Sequence, residues 1–140
     1  MYDPTMVQPM REELISIGFK ELKTAAEVDD AMQTAKGTSF LFVNSVCGCA
    51  AGQARPGIAL ALTSDIKPDN LFTVFAGQDA EATAQARSYI LGIPPSSPAM
   101  ALFKDGELVT MIERHQIENN SAEQVAGRLM EAFKAHCSNN

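Results

Sequence analysis

Two cysteines separated by one glycine are the residues of this sequence best suited to covalent chemistry. Cys47, Gly48 and Cys49 follow a strongly apolar run, residues 39–43, and precede a stretch of small residues that favours a helix. A helix N-terminus offers unpaired backbone N–H groups and a partial positive charge, and both stabilise a thiolate relative to a thiol. We therefore expect Cys47 to be an acidified nucleophile. Cys49 lies within bridging range if Gly48 lets the backbone bend.

Two other roles for this cysteine pair stay open at the level of sequence. Thiolates also bind zinc or copper(I), and His115 or His136 could add ligands. Because no second closely spaced cysteine pair is present, we predict no metal and no cofactor. A redox-regulated adaptor would instead use the pair to switch a partner interface without turnover. The third cysteine, Cys137, follows Phe133 by four residues, which predicts a packed, unreactive thiol on the apolar face of a C-terminal helix.

Length and composition bound the class of protein. The 140 residues, 46% of them hydrophobic, suffice for one ordinary core, so we expect a single domain over 1–140 with frayed ends at about 1–8 and 138–140. No apolar run approaches the roughly 20 residues that cross a bilayer, and charged residues occupy the place of a signal peptide. We therefore expect a cytoplasmic protein without a membrane partner. The net charge of −6, with no block of Lys or Arg, argues against nucleic-acid binding.

The order of apolar patterns predicts an α/β fold. Parallel crossover units followed by an antiparallel pair imply a mixed sheet with helices on both faces. Pro56 and Gly57 are expected to kink the early part of the helix that follows the cysteines. Helices are predicted after Pro9, Thr24, Cys49, Asp79 and Ser121, and strands at 19–23, 39–43, 71–75, 99–103 and 107–112, the last two joined by a hairpin at Asp105-Gly106.

This order of elements also brings cationic side chains toward the cysteines. If the strand after Pro98 starts at the cysteine end of the sheet, its hairpin lies at the far end. The return strand then carries Arg114 and His115 back toward the cysteine pair. Cations there could support a thiolate or bind an acidic thiol substrate.

The order of elements, the cysteine pair before a helix and the proline before the penultimate strand resemble the thioredoxin fold. That fold is a three-layer α/β/α sandwich, here with an extra N-terminal helix. The resemblance implies a cis Ser97-Pro98 bond that packs against the cysteines. The local motifs resemble the bacilliredoxin family more specifically; they lie at residues 43–52, 54–56, 74–79, 95–98, 114–115 and 135–137.

The bacilliredoxin resemblance implies a thiol-disulfide oxidoreductase. Its substrates would be proteins that carry mixed disulfides with a low-molecular-weight thiol, bacillithiol, and it would have weaker disulfide reductase or isomerase activity. The resemblance makes Cys47 the nucleophile and Cys49 the second, resolving cysteine. It also implies active-site support by Gly48, Ser97 and Pro98, and candidate substrate contacts by Arg55, Arg114 and His115.

Overall fold

The computed structural model describes residues 1–138, which form helices and strands in alternation over most of their length. The helices are α1 (Pro4–Ile15), α2 (Ala25–Thr34), α3 (Arg55–Ala61), α4 (Ala80–Arg87), α5 (Arg114–Glu118) and α6 (Ala122–His136). The strands are β1 (Lys20–Glu21), β2 (Thr38–Asn44), β3 (Asn70–Phe75), β4 (Ala99–Lys104) and β5 (Glu107–Ile112). A π-helical segment, Ala50–Ala54, immediately precedes α3.

The strands form one mixed sheet in the order β1-β3-β2-β4-β5. Strands β1, β3 and β2 are parallel, whereas β4 runs antiparallel to β2, and β5 runs antiparallel to β4. All residues of the central strand β2 are buried, as its unbroken apolar run predicts. The mixed sheet expected from the sequence is therefore confirmed.

Side chains of β2 alternate between two apolar cores, one on each face of the sheet. Phe40 and Phe42 pack with residues of α3 and α6, and the rings of Phe40 and Phe133 meet edge to face at 5.8 Å. Leu41 and Val43 pack on the opposite face with residues of α2 and α4. Because a strand points successive side chains to opposite faces, one apolar strand anchors both helical layers.

The register of the sheet places three chain segments at one end. Val43 pairs with Ala99, and Met100 pairs with Ile112, so the residues after β2, before β4 and after β5 meet there. The Ser97-Pro98 peptide bond at this end is cis, as predicted. The predicted hairpin turn lies at the opposite end, where Asp105 and Gly106 both have positive φ angles of 50° and 84°.

The N-terminal residues differ from the prediction of a frayed segment over 1–8. Helix α1 begins at Pro4, the side chain of Asp3 caps it by accepting from the Thr5 N–H, and Val7 is only 1% exposed. Pro9 lies inside this helix and does not begin it. Burial of Val7 and Leu14, seven residues apart on one helical face, accounts for the longer helix. At the other predicted frayed end, 138–140, residues 139 and 140 lie outside the described residues.

Two further elements differ from the sequence prediction. Asp79 occupies the N-cap position of α4, but its carboxylate pairs with the buried Arg11 and does not cap the helix. The short helix α5 was not predicted, although the Gln116 side chain accepts from the Glu113 N–H at its start. The expected kink before Pro56 takes the form of the π-helical segment. Within residues 1–138, no helix combines the length and apolar character needed to cross a bilayer.

Candidate active site

Cys47 ends a short loop that leads from β2 into the helical segment. Its backbone N–H donates to Ser45 Oγ at 2.9 Å, and the Ser45 N–H in turn donates to Asn44 Oδ1 at 2.9 Å. The Cys47 carbonyl accepts from the Ala50 N–H at 2.9 Å, which closes the first turn. These bonds hold Cys47 at the beginning of the helical backbone, the position that its sequence context predicts.

Arg55 holds this loop in place through hydrogen bonds. Its guanidinium donates to Asn44 Oδ1 at 2.8 Å and to the Ser45 carbonyl at 3.1 Å, and it also pairs with Glu13. Arg55 is only 4% exposed. Direct contact with substrate, as predicted from the motif, is therefore not supported. The structure makes Arg55 a positioning residue of the loop, because its Nε and Nη1 atoms donate to protein acceptors.

The two cysteine sulfurs face each other as free thiols. Cys47 Sγ and Cys49 Sγ are 2.8 Å apart, and the Cys49 N–H approaches Cys47 Sγ at 3.4 Å. The hydrogen bond from Cys49 lowers the pKa of Cys47, aided by backbone N–H groups and the positive charge of Arg114, while burial opposes the effect. Burial, and then the neighbouring Cys47, raise the pKa of Cys49 to about 11. The pair thus comprises an acidified, partly exposed thiol and a buried thiol that holds its proton.

A cavity of about 480 Å³ opens beside Cys47. It brings together three residues singled out from the sequence, Cys47, Ser97 and Arg114. His115 lies outside this lining and is exposed, with its backbone carbonyl accepting from the Asn119 side chain. Four other lining residues, Ser45, Val46, Ala76 and Gly77, belong to the motifs at 43–52 and 74–79, whereas Tyr2 and Arg87 were not singled out from the sequence.

Tyr2 reaches this cavity from the start of the chain. Its backbone N–H donates to Gln78 Oε1 at 2.8 Å. Its ring lies against Gly77, whose φ of +81° favours glycine and where an added Cβ would come within 3.1 Å of the ring. The sequence gives no local signal for this contact, because it joins residues more than 70 positions apart.

Gly48 does not need the conformational freedom that its position between the cysteines indicated. Its φ lies outside the left-handed region, and a Cβ placed there would meet no atom within 4 Å. Apart from its two neighbouring cysteines, Gly48 therefore faces open space. Within residues 1–138, no group of three or more Cys, His, Asp or Glu side chains is arranged to hold a metal ion.

Cys137 lies at the opposite end of the sheet from the cysteine pair. It is 9% exposed and packs in the same core as Phe133, which confirms the predicted burial. Burial raises its pKa, and its thiol lies beside Thr38, the first residue of β2. Because β2 has seven residues, Cys137 and Cys47 are separated by roughly 20 Å along this strand.

Sequence comparisons agree over nearly the whole chain. The model of a family described as "Disulphide isomerase" matches residues 2–137. A bacilliredoxin of Geobacillus kaustophilus is 55% identical over 97% of this chain and 94% of its own length. A bacilliredoxin of Koribacter versatilis is 51% identical over 98% of this chain and 94% of its own length.

Solved structures give the fold. Thioredoxin of Fasciola hepatica matches with a TM-score of 0.58 and 24% identity over 84% of this chain and 98% of its own. Spinach chloroplast thioredoxin f matches with a TM-score of 0.59 and 20% identity over 92% of this chain and 94% of its own. The predicted thioredoxin-like sandwich is confirmed, and the chain belongs to the bacilliredoxin family of thiol-disulfide oxidoreductases.

Proposed function

We propose that this protein removes a low-molecular-weight thiol from mixed disulfides on other proteins, with Cys47 as the nucleophile and Cys49 as the resolving cysteine. The observation that carries the proposal is the contrast between these adjacent thiols. Cys47 lines an open cavity and has a lowered pKa, whereas Cys49 is buried and its pKa is raised to about 11. Bacilliredoxins among the relatives favour bacillithiol as the small thiol.

In the first step, the Cys47 thiolate attacks the small-thiol sulfur of the mixed disulfide. A bond forms between Cys47 Sγ and that sulfur, and the original S–S bond breaks. The client protein leaves as a thiolate and takes a proton from water. Cys47 is left in a mixed disulfide with the small thiol, and the client is reduced. No net electrons enter or leave in this exchange.

In the second step, Cys49 loses its proton and attacks Cys47 Sγ. The small thiol leaves as a thiolate, and a Cys47–Cys49 disulfide remains, which an external thiol reductant returns to two thiols. Formation of the mixed disulfide removes the Cys47 charge that helps to raise the pKa of Cys49. The resolving thiol therefore ionises more readily once the first step is complete. A second small thiol would serve as the alternative resolving agent.

Neighbouring residues support this chemistry in distinct ways. The charge of Arg114 favours the Cys47 thiolate, and its guanidinium donates to the Ser97 carbonyl at 3.2 Å. This bond ties the cation to the segment that contains the cis Ser97-Pro98 bond. We assign Ser97 and Pro98 a role in shaping the surface against which the client disulfide lies. We assign Gly48 a supporting role as the small residue between the two cysteines.

A reporter protein with one cysteine, converted to its mixed disulfide with bacillithiol, tests the proposal. Release of the reporter thiol and the intact mass of the enzyme are both followed with time. Cys47→Ser abolishes release, because a serine hydroxyl provides no comparable anion at neutral pH. Cys49→Ser allows one round of release and accumulates a small-thiol adduct on Cys47.

Cys137→Ser is the matched control, since it removes a thiol roughly 20 Å from the site along β2. It retains the wild-type release rate. An adduct that accumulates in Cys137→Ser and not in Cys49→Ser would contradict the proposed role of Cys49. Stoichiometric zinc or copper in the purified protein, together with no release, would favour a metal carrier. A redox adaptor would show neither release nor bound metal.

We place this reaction in the cytoplasm, where cellular reductants keep protein thiols reduced. The same two thiols support a weaker second activity on ordinary protein disulfides, consistent with the family description. When Cys47 attacks a disulfide between two client cysteines, the exchange follows the same chemistry. One of the two client cysteines is then the leaving group. Reactivation of a scrambled disulfide protein measures that activity.

A further inference from the structure

Arg87 lies beside the cavity that contains Cys47 and forms no ion pair within the described residues 1–138. It ends α4 and lines the cavity with Cys47. One terminal nitrogen donates to the Ser96 carbonyl at 3.3 Å, whereas the Nε atom is buried and has no hydrogen-bond partner within residues 1–138. Burial lowers the pKa of Arg87, since the charged form loses solvation. A buried donor without a partner is costly, so the position of Arg87 beside the cavity calls for a functional explanation.

Arg114 supplies a second cation to the same cavity. Its guanidinium donates to the Ser97 carbonyl, and its Nε pairs with Glu118 at 3.1 Å. That pair is exposed, with side-chain exposures of 46% and 43%, so solvent weakens it and the carboxylate neutralises Arg114 only in part. The two arginines donate to the carbonyls of consecutive residues, Ser96 and Ser97, and both line the cavity that contains Cys47.

Among the described residues, the remaining lining of the cavity contains no carboxylate. Apart from Arg87 and Arg114, it consists of Cys47 and neutral residues. This is notable in a chain with a net charge of −6, where acidic side chains outnumber basic ones. The two buried arginines within residues 1–138 are both paired, since Arg11 contacts Glu21 and Asp79 and Arg55 contacts Glu13. The cavity is thus a local positive site within an acidic protein.

We infer that this cavity selects small thiols that carry carboxylate groups, with Arg87 and Arg114 binding the anion while the thiol sulfur is joined to Cys47. The inference rests on the proposed function, and it assigns a binding role to Arg87, which the cysteine motif does not indicate. A planar guanidinium matches the geometry of a carboxylate and binds it with strong, charge-assisted hydrogen bonds. The volume of about 480 Å³ lies within the usual range for small-molecule sites.

Three mixed disulfides of one reporter protein test this charge selectivity. The attached small thiols are mercaptosuccinate with two carboxylates, 2-mercaptoethanol without charge, and cysteamine with an amine. Each kcat/KM for reporter release is divided by the rate at which dithiothreitol cleaves the same mixed disulfide, which removes intrinsic differences in reactivity. The wild-type protein prefers mercaptosuccinate over 2-mercaptoethanol by roughly tenfold or more, and cysteamine is the poorest substrate.

Arg87→Gln lowers the ratio of normalised kcat/KM for mercaptosuccinate to that for 2-mercaptoethanol toward one. The main cause is a higher KM for the mercaptosuccinate reporter. Arg87→Lys retains part of the preference, because it keeps the charge and loses the planar fork. Lys104→Gln is the matched control: it removes one positive charge at the far end of the sheet and retains the wild-type preference. Arg87 is a sharper test than Arg114, whose charge also lowers the pKa of Cys47.

A binding measurement without turnover separates this inference from the proposed function. Methylthiosuccinate, a thioether that cannot exchange, is titrated calorimetrically into Cys47→Ser and into Cys47→Ser with Arg87→Gln. We expect binding to the first that weakens roughly tenfold in the second. Equal binding to both, an equal loss for all three reporters in Arg87→Gln, or no wild-type preference would overturn the inference. Calorimetric binding with no release from any reporter would overturn the proposed function alone.

Discussion

Replacement of Arg55 by methionine tests whether the buried guanidinium holds the cysteine loop. Methionine retains an unbranched apolar stem, so the packing of the methylene groups changes little. The guanidinium bonds to Asn44 Oδ1 and to the Ser45 carbonyl are lost. We expect a less stable protein whose Cys47 reacts more slowly, because Ser45 Oγ is the acceptor of the Cys47 N–H.

The expected loss of stability depends on which hydrogen bonds each acceptor of Arg55 retains in the variant. Asn44 Oδ1 still accepts from the Ser45 N–H, so its loss is partial. The Ser45 carbonyl loses the Arg55 donor in a residue that is 6% exposed, and an orphaned buried acceptor costs about 1–3 kcal/mol. The Glu13 carboxylate is 52% exposed and returns to water, at a cost of less than about 1 kcal/mol. The free energy of unfolding should therefore fall by about 1–3 kcal/mol.

Urea unfolding followed by far-UV circular dichroism measures this loss, because the chain has no tryptophan for fluorescence. Alkylation of Cys47 by iodoacetamide at fixed pH measures the effect on the site. Glu13→Gln is the matched control: it removes the charge of the exposed partner and leaves the buried bonds in place, so stability falls by less than about 1 kcal/mol. Stability within about 0.5 kcal/mol of wild type, with unchanged alkylation, would refute the positioning role of Arg55.

Three further perturbations test other parts of the structure. Alkylation across pH should label Cys47 first, since its pKa is lowered, while Cys49, with a pKa of about 11, requires more alkaline solution; faster labelling of Cys49 would reverse their roles. Cys137→Ser should cost about 1–2 kcal/mol in urea unfolding and leave the release rate unchanged. Gly57→Ala should lower the free energy of unfolding by about 1–3 kcal/mol, because its Cβ would lie 2.8 Å from Val125 Cγ1. Unchanged stability would mean that α3 and α6 can move apart at no energetic cost.

The buried strands could be read from the sequence because their apolar runs are unbroken. The predicted strand at 39–43 falls inside Thr38–Asn44, and the predicted strand at 99–103 falls inside Ala99–Lys104. Strands buried on both faces need apolar side chains at every position, which leaves little ambiguity about their limits. Helix α1 was misjudged because Pro9 is a helix breaker only where tertiary burial does not compensate for the lost donor.

The candidate site was predictable only in its local part. The cysteine pair and the return of Arg114 follow from motif and strand order, which are short-range or topological features. Arg87 and Tyr2 reach the cavity from distant segments, and no local pattern distinguishes them from other surface residues. The burial of Arg55 could not be predicted for a different reason: its place in the motif is evident from sequence, but its burial depends on the packing of α3 against the loop.

The contact of Tyr2 with the cavity has a practical consequence for preparing the protein. An affinity tag joined ahead of Met1 would lie beside the cavity that contains Cys47, and a polyhistidine tag would add titrating cations there. In such a preparation, the cations of the tag would contribute to the charge selectivity that is attributed to Arg87 and Arg114. Helix α6 ends near Thr38, at the other end of the sheet, so a tag on the C-terminal side keeps the measured selectivity a property of the native chain.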